Sequence, residues 1–460
     1  MTTQTTAPTA PGSTPAPARR RRLKDLGMMF GGSTSSARQF GILGALIAII
    51  LFFQLATGGK TLEPGNVINM INANAYVLIL AIGMVIVIIA GHIDLSVGSV
   101  AAFTGIIVAI ALNRWELPWP LAVLLGLMIG GVIGAWHGFW VAYVGVPAFI
   151  VTLAGMLIFR GANQFVGNST TEPIPDSFFL ALGGGYLPDP DMGIPYNVPT
   201  LILGLIGIIV VVVNELSLRK RQRAMRVEMA PLWVSIVKVV GLVAIITAAS
   251  LLFAGGRPGT SFPIPGIVVV VLVIIYSFIT NSTIIGRHVY AVGGNWHAAE
   301  LSGVKIRRVN FFAMMNMSIL AALAGMVFIA RSNASGPGDG TGWELDAIAA
   351  VFIGGAAVSG GIGTVIGSII GALVIAVLNN GLQLMGVPSD RVQMIKGLVL
   401  LVAVGIDVWS KRSGGRSLIS RFARKGGDLA LASSVDRPAV EPGAGSAEDT
   451  SRPRGATPYA

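Results

Sequence analysis

The chain has no cysteine, only four histidines and few charges, with Asp, Glu, Lys and Arg making up 12% of its 460 residues. Without cysteine there is no disulfide framework, no thiolate nucleophile and no cysteine metal site, and the redox compartment leaves no mark. The histidines (His92, His137, His288, His297) are isolated and lack the spaced partners of a metal centre or a hydrolytic triad. A nucleotide-hydrolysing loop is missing too. The nearest approach, Gln54 to Thr61, has Gln where the first Gly of G-x-x-x-x-G-K-[ST] belongs, and it closes an apolar run instead of following a strand. Soluble domains carry about 25% charged residues. Half that share, with 53% hydrophobic residues and a mean hydropathy of +0.75, leaves too little polar surface to cover the protein, so part of its solvent is lipid.

What is present is a succession of apolar runs of the length a bilayer demands, about 17–25 residues. They fall near 40–57, 67–90, 95–112, 120–145, 148–166, 199–216, 234–255, 265–281, 310–330, 346–359, 362–385 and 394–409. The fold class expected is an all-α polytopic membrane protein of 10–12 transmembrane helices, with Gly-rich broken or re-entrant segments in each half. The tenth run is short, which leaves ten crossings as the alternative to twelve. Many of the 60 glycines lie inside these runs, where small residues let helix backbones approach.

The net charge of +11 is a topology signal, not a nucleic-acid footprint. Of the 32 basic residues, 24 lie in the N-terminal tail, residues 219–226, residues 282–309 and the tail after Ser410. Counting twelve crossings from a cytoplasmic N-terminus puts all four clusters on one side, as the positive-inside rule requires. The longest opposite loop, 167–198, is acidic, with Glu172, Asp176, Asp189 and Asp191. Removing two crossings together preserves this parity. The expected organisation is a basic disordered tail over 1–38, a membrane domain over 39–410 and a disordered tail over 411–460, both tails cytoplasmic. Within the membrane domain, 199–255 forms a helix pair around the basic loop and 282–309 a long cytoplasmic loop.

That cytoplasmic loop is the most distinctive stretch. Gly293, Gly294 and Asn295 suit a turn, Asn295 can cap the next segment, Trp296–Leu301 favours helix, and Ser302-Gly303 stops it. A short surface helix locked between two membrane helices is a handle for another protein.

The stretch from Gly286 to Val304 follows G-R-x-x-Y-A-x-G-G-N-x-x-A-A-x-L-S-G and resembles the coupling loop of the ribose/xylose-type sugar ABC permeases. The similarity continues through Gly340–Ala350, Ile353–Gly361 and Leu378–Gly381. In the first half, Gly91–Gly98 resembles G-G-I-D-L-S-V-G, with His92 replacing the second Gly. The resemblance covers roughly residues 40–412 apart from 170–260. It implies a homodimer or paired permease in the bacterial cytoplasmic membrane, with a separate ABC ATPase subunit on the coupling loops and an extracytoplasmic sugar-binding protein on the outer face. It implies that this chain binds no cofactor, since ATP and Mg are used by the ATPase, and that Gly293, Asn295, Ala298, Ala299, Ser302 and Gly303 belong to the ATPase contact. It points to a monosaccharide. The extra pair over 199–255 tilts the reading toward xylose, with arabinose, galactose, glucose and ribose as alternatives.

Two carboxylates stand out inside the membrane domain. Asp94 and Asp346 each head a Gly/Ala-rich apolar stretch, where a helix start favours an acid by about 1 kcal/mol. At mid-membrane each would cost about 2.5–3.5 kcal/mol. They read either as structural caps near an interface or as gating groups. Amides suit sugar hydroxyls, so Asn72, Asn74, Asn163 and Asn379 are candidates for the pathway, with helix–helix hydrogen bonding as the other reading of each. A secondary transporter would need coupling-ion carboxylates within its spans. The acids found there, Asp94, Glu215, Asp346 and Asp407, all lie near predicted ends.

Overall fold

A computed structural model describes residues 34–412, apart from 189, 191–192, 226–231 and 257–259. Fifteen α-helices occur among the described residues. The first half holds α1 (Thr34–Ala56), α2 (Pro64–Ile89), α3 (Val97–Asn113), α4 (Trp119–Phe139), α5 (Ala148–Val166), the short α6 (Ser177–Gly184), α7 (Val198–Ala224) and α8 (Leu232–Ala254). The second holds α9 (Ile264–Ser282), α10 (Ile284–Gly294), α11 (Trp296–Leu301), α12 (Ile306–Ser332), α13 (Trp343–Ile353), α14 (Val365–Leu384) and α15 (Ser389–Arg412). Contacts divide the chain into a unit up to Gly405 and a second from Ile406, of which only the end of α15 is described. The tails expected over 1–38 and 411–460 otherwise lie outside the described residues. The first helix begins at Thr34, inside the span assigned to the tail, where a run of Thr and Ser suits a helix start.

Local chemistry explains the boundaries. Proline occupies the first or second position of α2, α4, α7 and α9, where its missing N–H costs nothing. Asp176, Asn197 and Thr364 accept backbone N–H bonds that open α6, α7 and α14. The core is built on α2 and α12, which are buried along most of their length, with α3, α13 and α14 packed beside them. Gly126, Gly130, Gly134 and Gly138 form a stripe on α4, one every fourth residue, pressed against α12. A Cβ at Gly130 would lie 2.7 Å from the Ser318 carbonyl oxygen, so the stripe is what allows the contact.

Among the described residues, loops assigned by charge to one side pair with loops of that side. At one end the Ile174 N–H donates to the Asn333 carbonyl (3.0 Å), and the two-residue strands β1 (Glu172–Pro173) and β2 (Ala334–Ser335) pair antiparallel. There Arg331 donates to Asn69 (2.8 Å), and Arg114 Nε to Glu172 Oε1 (3.0 Å). The Arg114 bond is the main reason the Glu172 carboxyl titrates below its ordinary range. At the other end the Gly361 N–H donates to the Ile89 carbonyl (2.9 Å), and the Tyr290 hydroxyl to the Gly363 carbonyl (2.7 Å).

Between these ends, eleven described segments pass through the unit up to Gly405, and α15 begins a twelfth. Two passages are not whole helices. The third runs without helix from His92 and becomes α3 only at Val97. The tenth runs down an irregular stretch from Gly336 before α13, whose 11 residues span about 16 Å, half a bilayer. The tenth segment is therefore a broken passage, joined to α14 through the turn at 354–361. Among the described residues, eight helices are long and apolar enough to cross a membrane, and stretches of α1 and α3 form shorter apolar helices.

Candidate functional site

The broken passages bring the starts of α3 and α13 together. Gly98, in the first turn of α3, lies against the backbone of Gly340 and under Glu344, and a Cβ there would overlap the Gly340 carbonyl oxygen. Gly340 (φ +77°) and Gly342 (φ +80°) both adopt the left-handed backbone, so the chain turns into α13 where most side chains would be strained. Glu344 Oε2 would sit 2.7 Å from a Cβ at Gly98, which puts a carboxylate at the positive end of α3.

Asp94 and Asp346 part company here. Asp94 is fully buried, and its Oδ1 accepts from the Ser96 N–H (2.8 Å) and hydroxyl (2.6 Å), closing the turn that leads into α3. Its other oxygen has no hydrogen-bond partner among the described residues, but buried His137 lies near enough to interact electrostatically. Gly155 leaves room for that ring. Asp346 sits in the first turn of α13 and caps nothing. Both its oxygens accept from Lys396 Nζ of α15, at 2.8 and 3.0 Å. The sequence placed it correctly at a helix start, but its partner is 50 residues away.

Asp346 opens onto a cavity of about 440 Å³, within the range of small-ligand sites. Its lining includes Tyr76, Arg160, Trp343, Glu344 and Lys396. Tyr76 is the thirteenth residue of the 26-residue α2, so the cavity lies halfway along the deepest helix. The Trp343 ring packs 4.3 Å from Tyr76 and 4.5 Å from Phe328. Arg160 Nη2 stands 3.7 Å from Glu344 Oε1, beyond hydrogen-bonding distance, and that nitrogen is buried with no hydrogen-bond partner among the described residues. The cavity thus offers an aromatic wall, a spare donor and two acids balanced by two bases. Neutral overall and rich in hydrogen-bonding groups, it suits a polar uncharged molecule better than an ion.

None of the four candidate asparagines lines this cavity. Asn163 reaches the carbonyls of Gly336 and Pro337 at 3.4 and 3.3 Å and so steadies the irregular descent into α13. Asn74 bonds the Met70 carbonyl of its own helix (2.8 Å). Asn72 and Asn379 each bury a side-chain oxygen with no hydrogen-bond partner among the described residues, outside the cavity lining. Residues that do line it escaped the sequence reading. Arg160 and Lys396 were single charges inside apolar runs, and Glu344 fell in an assigned loop. Basic residues within spans were the signal that could have found them.

The loop whose sequence resembles a coupling loop folds as α10 and α11, meeting at Asn295. Its side chain accepts from the Ala298 N–H (3.0 Å) and caps α11, while Gly303 (φ +83°) ends that turn. Gly293 and Gly294 close α10 instead of forming the turn expected of them. Gly293 packs on the Ile89 carbonyl and Gly361, and Ala299 is also buried. Asn295, Ala298, Ser302 and Gly303 remain exposed, beside the exposed side chains of Trp296 and Leu301. A helix anchored from beneath that presents Trp and Leu to water has the composition of a protein-docking surface. Gly91 (φ +90°) carries the strained backbone before the third passage, so His92 sits where a side chain is tolerated.

The model of the branched-chain amino acid transport system / permease component family matches residues 66–404. A xylose transport system permease protein of Haemophilus influenzae is 38% identical over 384 residues, covering 84% of this chain and 100% of that protein. A xylose transport system permease protein of Escherichia coli K12 is 37% identical over 373 residues, 81% of this chain and 92% of that one. A ribose import permease protein of Bacillus subtilis is 33% identical over 367 residues, 79% of this chain and 91% of that one. No solved structure matches.

Proposed function

Because the chain belongs to the branched-chain amino acid transport system / permease component family, we propose that it is the translocating subunit of an ABC-type sugar importer, with xylose as its substrate. It moves its substrate without transforming it. ATP and Mg are bound by a separate ATPase docked on α10 and α11, with the permease paired as a homodimer. An extracytoplasmic binding protein delivers sugar at the Arg114–Glu172 end. The basic loops and both termini face the cytoplasm, by the positive-inside rule.

The observation that carries the reading is the neutral polar cavity at half-depth, with Trp343 and Tyr76 on one wall and the spare Arg160 donor opposite. Pyranose rings stack on aromatic faces and their hydroxyls take charged hydrogen-bond partners, which are stronger than neutral ones. Amino acids would also find paired charges there, so the test includes one. Proteoliposomes holding this chain with its ATPase and binding protein should take up labelled xylose on adding ATP, ribose more slowly and leucine not at all. Uptake by the chain alone on a proton gradient, or leucine as the preferred substrate, would overturn the proposal. Gly303→Trp should leave ATP hydrolysis running without uptake, because a side chain at φ +83° distorts the docked turn.

A further inference from the structure

The groove between α7 and α8 belongs to neither the cavity nor the coupling loop. These helices touch at one end, where a Cβ at Gly204 would overlap Ser250 Oγ and one at Gly207 would lie 3.6 Å from Ile246. Toward the other end they enclose a groove of about 580 Å³. Its walls are apolar: Val212 and Leu216 from α7, Ile236 and Val240 from α8. Its rim is basic, with Lys220 and Arg223 on α7.

The charges are arranged so that the rim stays positive. Glu215, the groove's single acid, is taken by Lys238 Nζ at 3.1 Å and Arg219 Nε at 3.9 Å. Arg219 also donates to Ser235 Oγ, at 3.0 Å from Nε and 2.7 Å from Nη2. Lys220 and Arg223 are exposed and make no ion pair among the described residues. Height matters as well. The apolar run of α7 ends just before the rim, at the level where a bilayer changes from hydrocarbon to headgroup. Along their apolar stretches the two helices are almost entirely unburied by the rest of the described chain.

We infer that the α7–α8 groove is a binding site for an anionic phospholipid of the leaflet facing the basic loops. Its phosphate lies between Lys220 and Arg223, and an acyl chain runs down the Val212, Leu216, Ile236 and Val240 walls. Charge selects the class. A phosphate monoanion without a choline is attracted by an unpaired Lys and Arg at about 1 kcal/mol per cation, whereas a zwitterionic headgroup brings its own cation to the same rim. The apolar wedge distinguishes a lipid from a free phosphate, which would gain nothing from it.

The test uses the full-length chain in detergent, with phosphatidylglycerol and phosphatidylcholine as probes, read by native mass spectrometry and by the melting temperature. Phosphatidylglycerol should remain bound and raise the melting temperature, and phosphatidylcholine should do neither. The double variant Lys220→Gln/Arg223→Gln should weaken phosphatidylglycerol retention roughly tenfold or more. Arg307→Gln/Arg308→Gln, which removes as much charge from the other basic loop, should change it less than twofold. Equal binding of the two lipids, or equal loss in the two double variants, would overturn the site. Since the chain has no cysteine, Leu216→Cys supplies a unique thiol. Self-crosslinking there in membranes would show that a second copy covers the groove and would overturn it too.

Discussion

The α7–α8 pair and the central helix α2 have almost the same mean hydropathy and opposite fates. Along its most apolar stretch α2 is 83% buried inside the protein, whereas α8 has no buried position there and α7 only 6%. Hydropathy reports that a segment leaves water. It does not report whether protein or lipid receives it, because lipid tails are as apolar as Leu. The difference lies in what else the helix carries. The central helix has Asn66, Asn69, Asn72, Asn74, Tyr76 and Gly83, groups with use only against other protein, and Asn66 makes a reciprocal amide pair with Asn380 at 2.8 and 2.9 Å. Between Leu201 and Val213, α7 carries only aliphatic residues and glycine, which ask nothing of a neighbour.

The contrast can be broken hardest at the junction of the two interrupted passages. Gly98→Val puts three carbons where the Gly340 carbonyl and Glu344 lie, and neither α3 nor α13 can retreat from the core. The expected result is loss of monodisperse protein on size-exclusion chromatography and loss of uptake. Gly241→Val in α8, a site open around its Cβ, should leave both near wild type.

Next in size is the partly buried ion pair of Asp346 and Lys396. Lys396→Met leaves Asp346 without its partner and should destabilise the protein by about 3–5 kcal/mol. Adding Asp346→Asn should recover most of the melting temperature while uptake stays low. Recovery of uptake along with stability would show that the pair only braces the cavity.

A matched pair of truncations measures core against periphery directly. Ile82→Ala, at a fully buried position of α2, should cost about 2–5 kcal/mol. Ile245→Ala, at a half-exposed position of α8, should change stability by about 0.5 kcal/mol or less. Equal losses would mean that a further protein chain, and not lipid, covers α8.

The smallest effect is at the surface. Arg114 holds the Glu172 carboxyl below its ordinary pKa, so this contact contributes stability above that ordinary value. The contribution is lost as pH falls through the lowered one. Melting curves from neutral to acid pH should show a slight extra loss in wild type that Arg114→Gln lacks.

Much of the fold was legible in the sequence because its causes are local. Apolar length marked the passages, proline and glycine their ends, and the clustering of Lys and Arg sorted the loops into two sets that the structure keeps apart. Asn295 was read as the cap of a short helix from its neighbours alone, and it is. The cavity was not legible. Arg160, Tyr76, Glu344 and Lys396 come from four different helices, and nothing local to any one of them points to the other three.

By itself the sequence determined that this protein lives in lipid, which loops share a side, and where α11 begins and ends, while it left ten crossings open beside twelve. Each of these follows from side-chain transfer energies and near-neighbour hydrogen bonds. Only the tertiary structure decided that Asp346 pairs across to Lys396 while Asp94 closes its own turn, that Gly293 packs inward, and that α2 is buried while the rest of the described chain leaves α8 uncovered. Those outcomes depend on which helices touch. A buried charge or a missing Cβ takes its meaning from an atom far along the chain, at a distance that no local pattern of residues encodes.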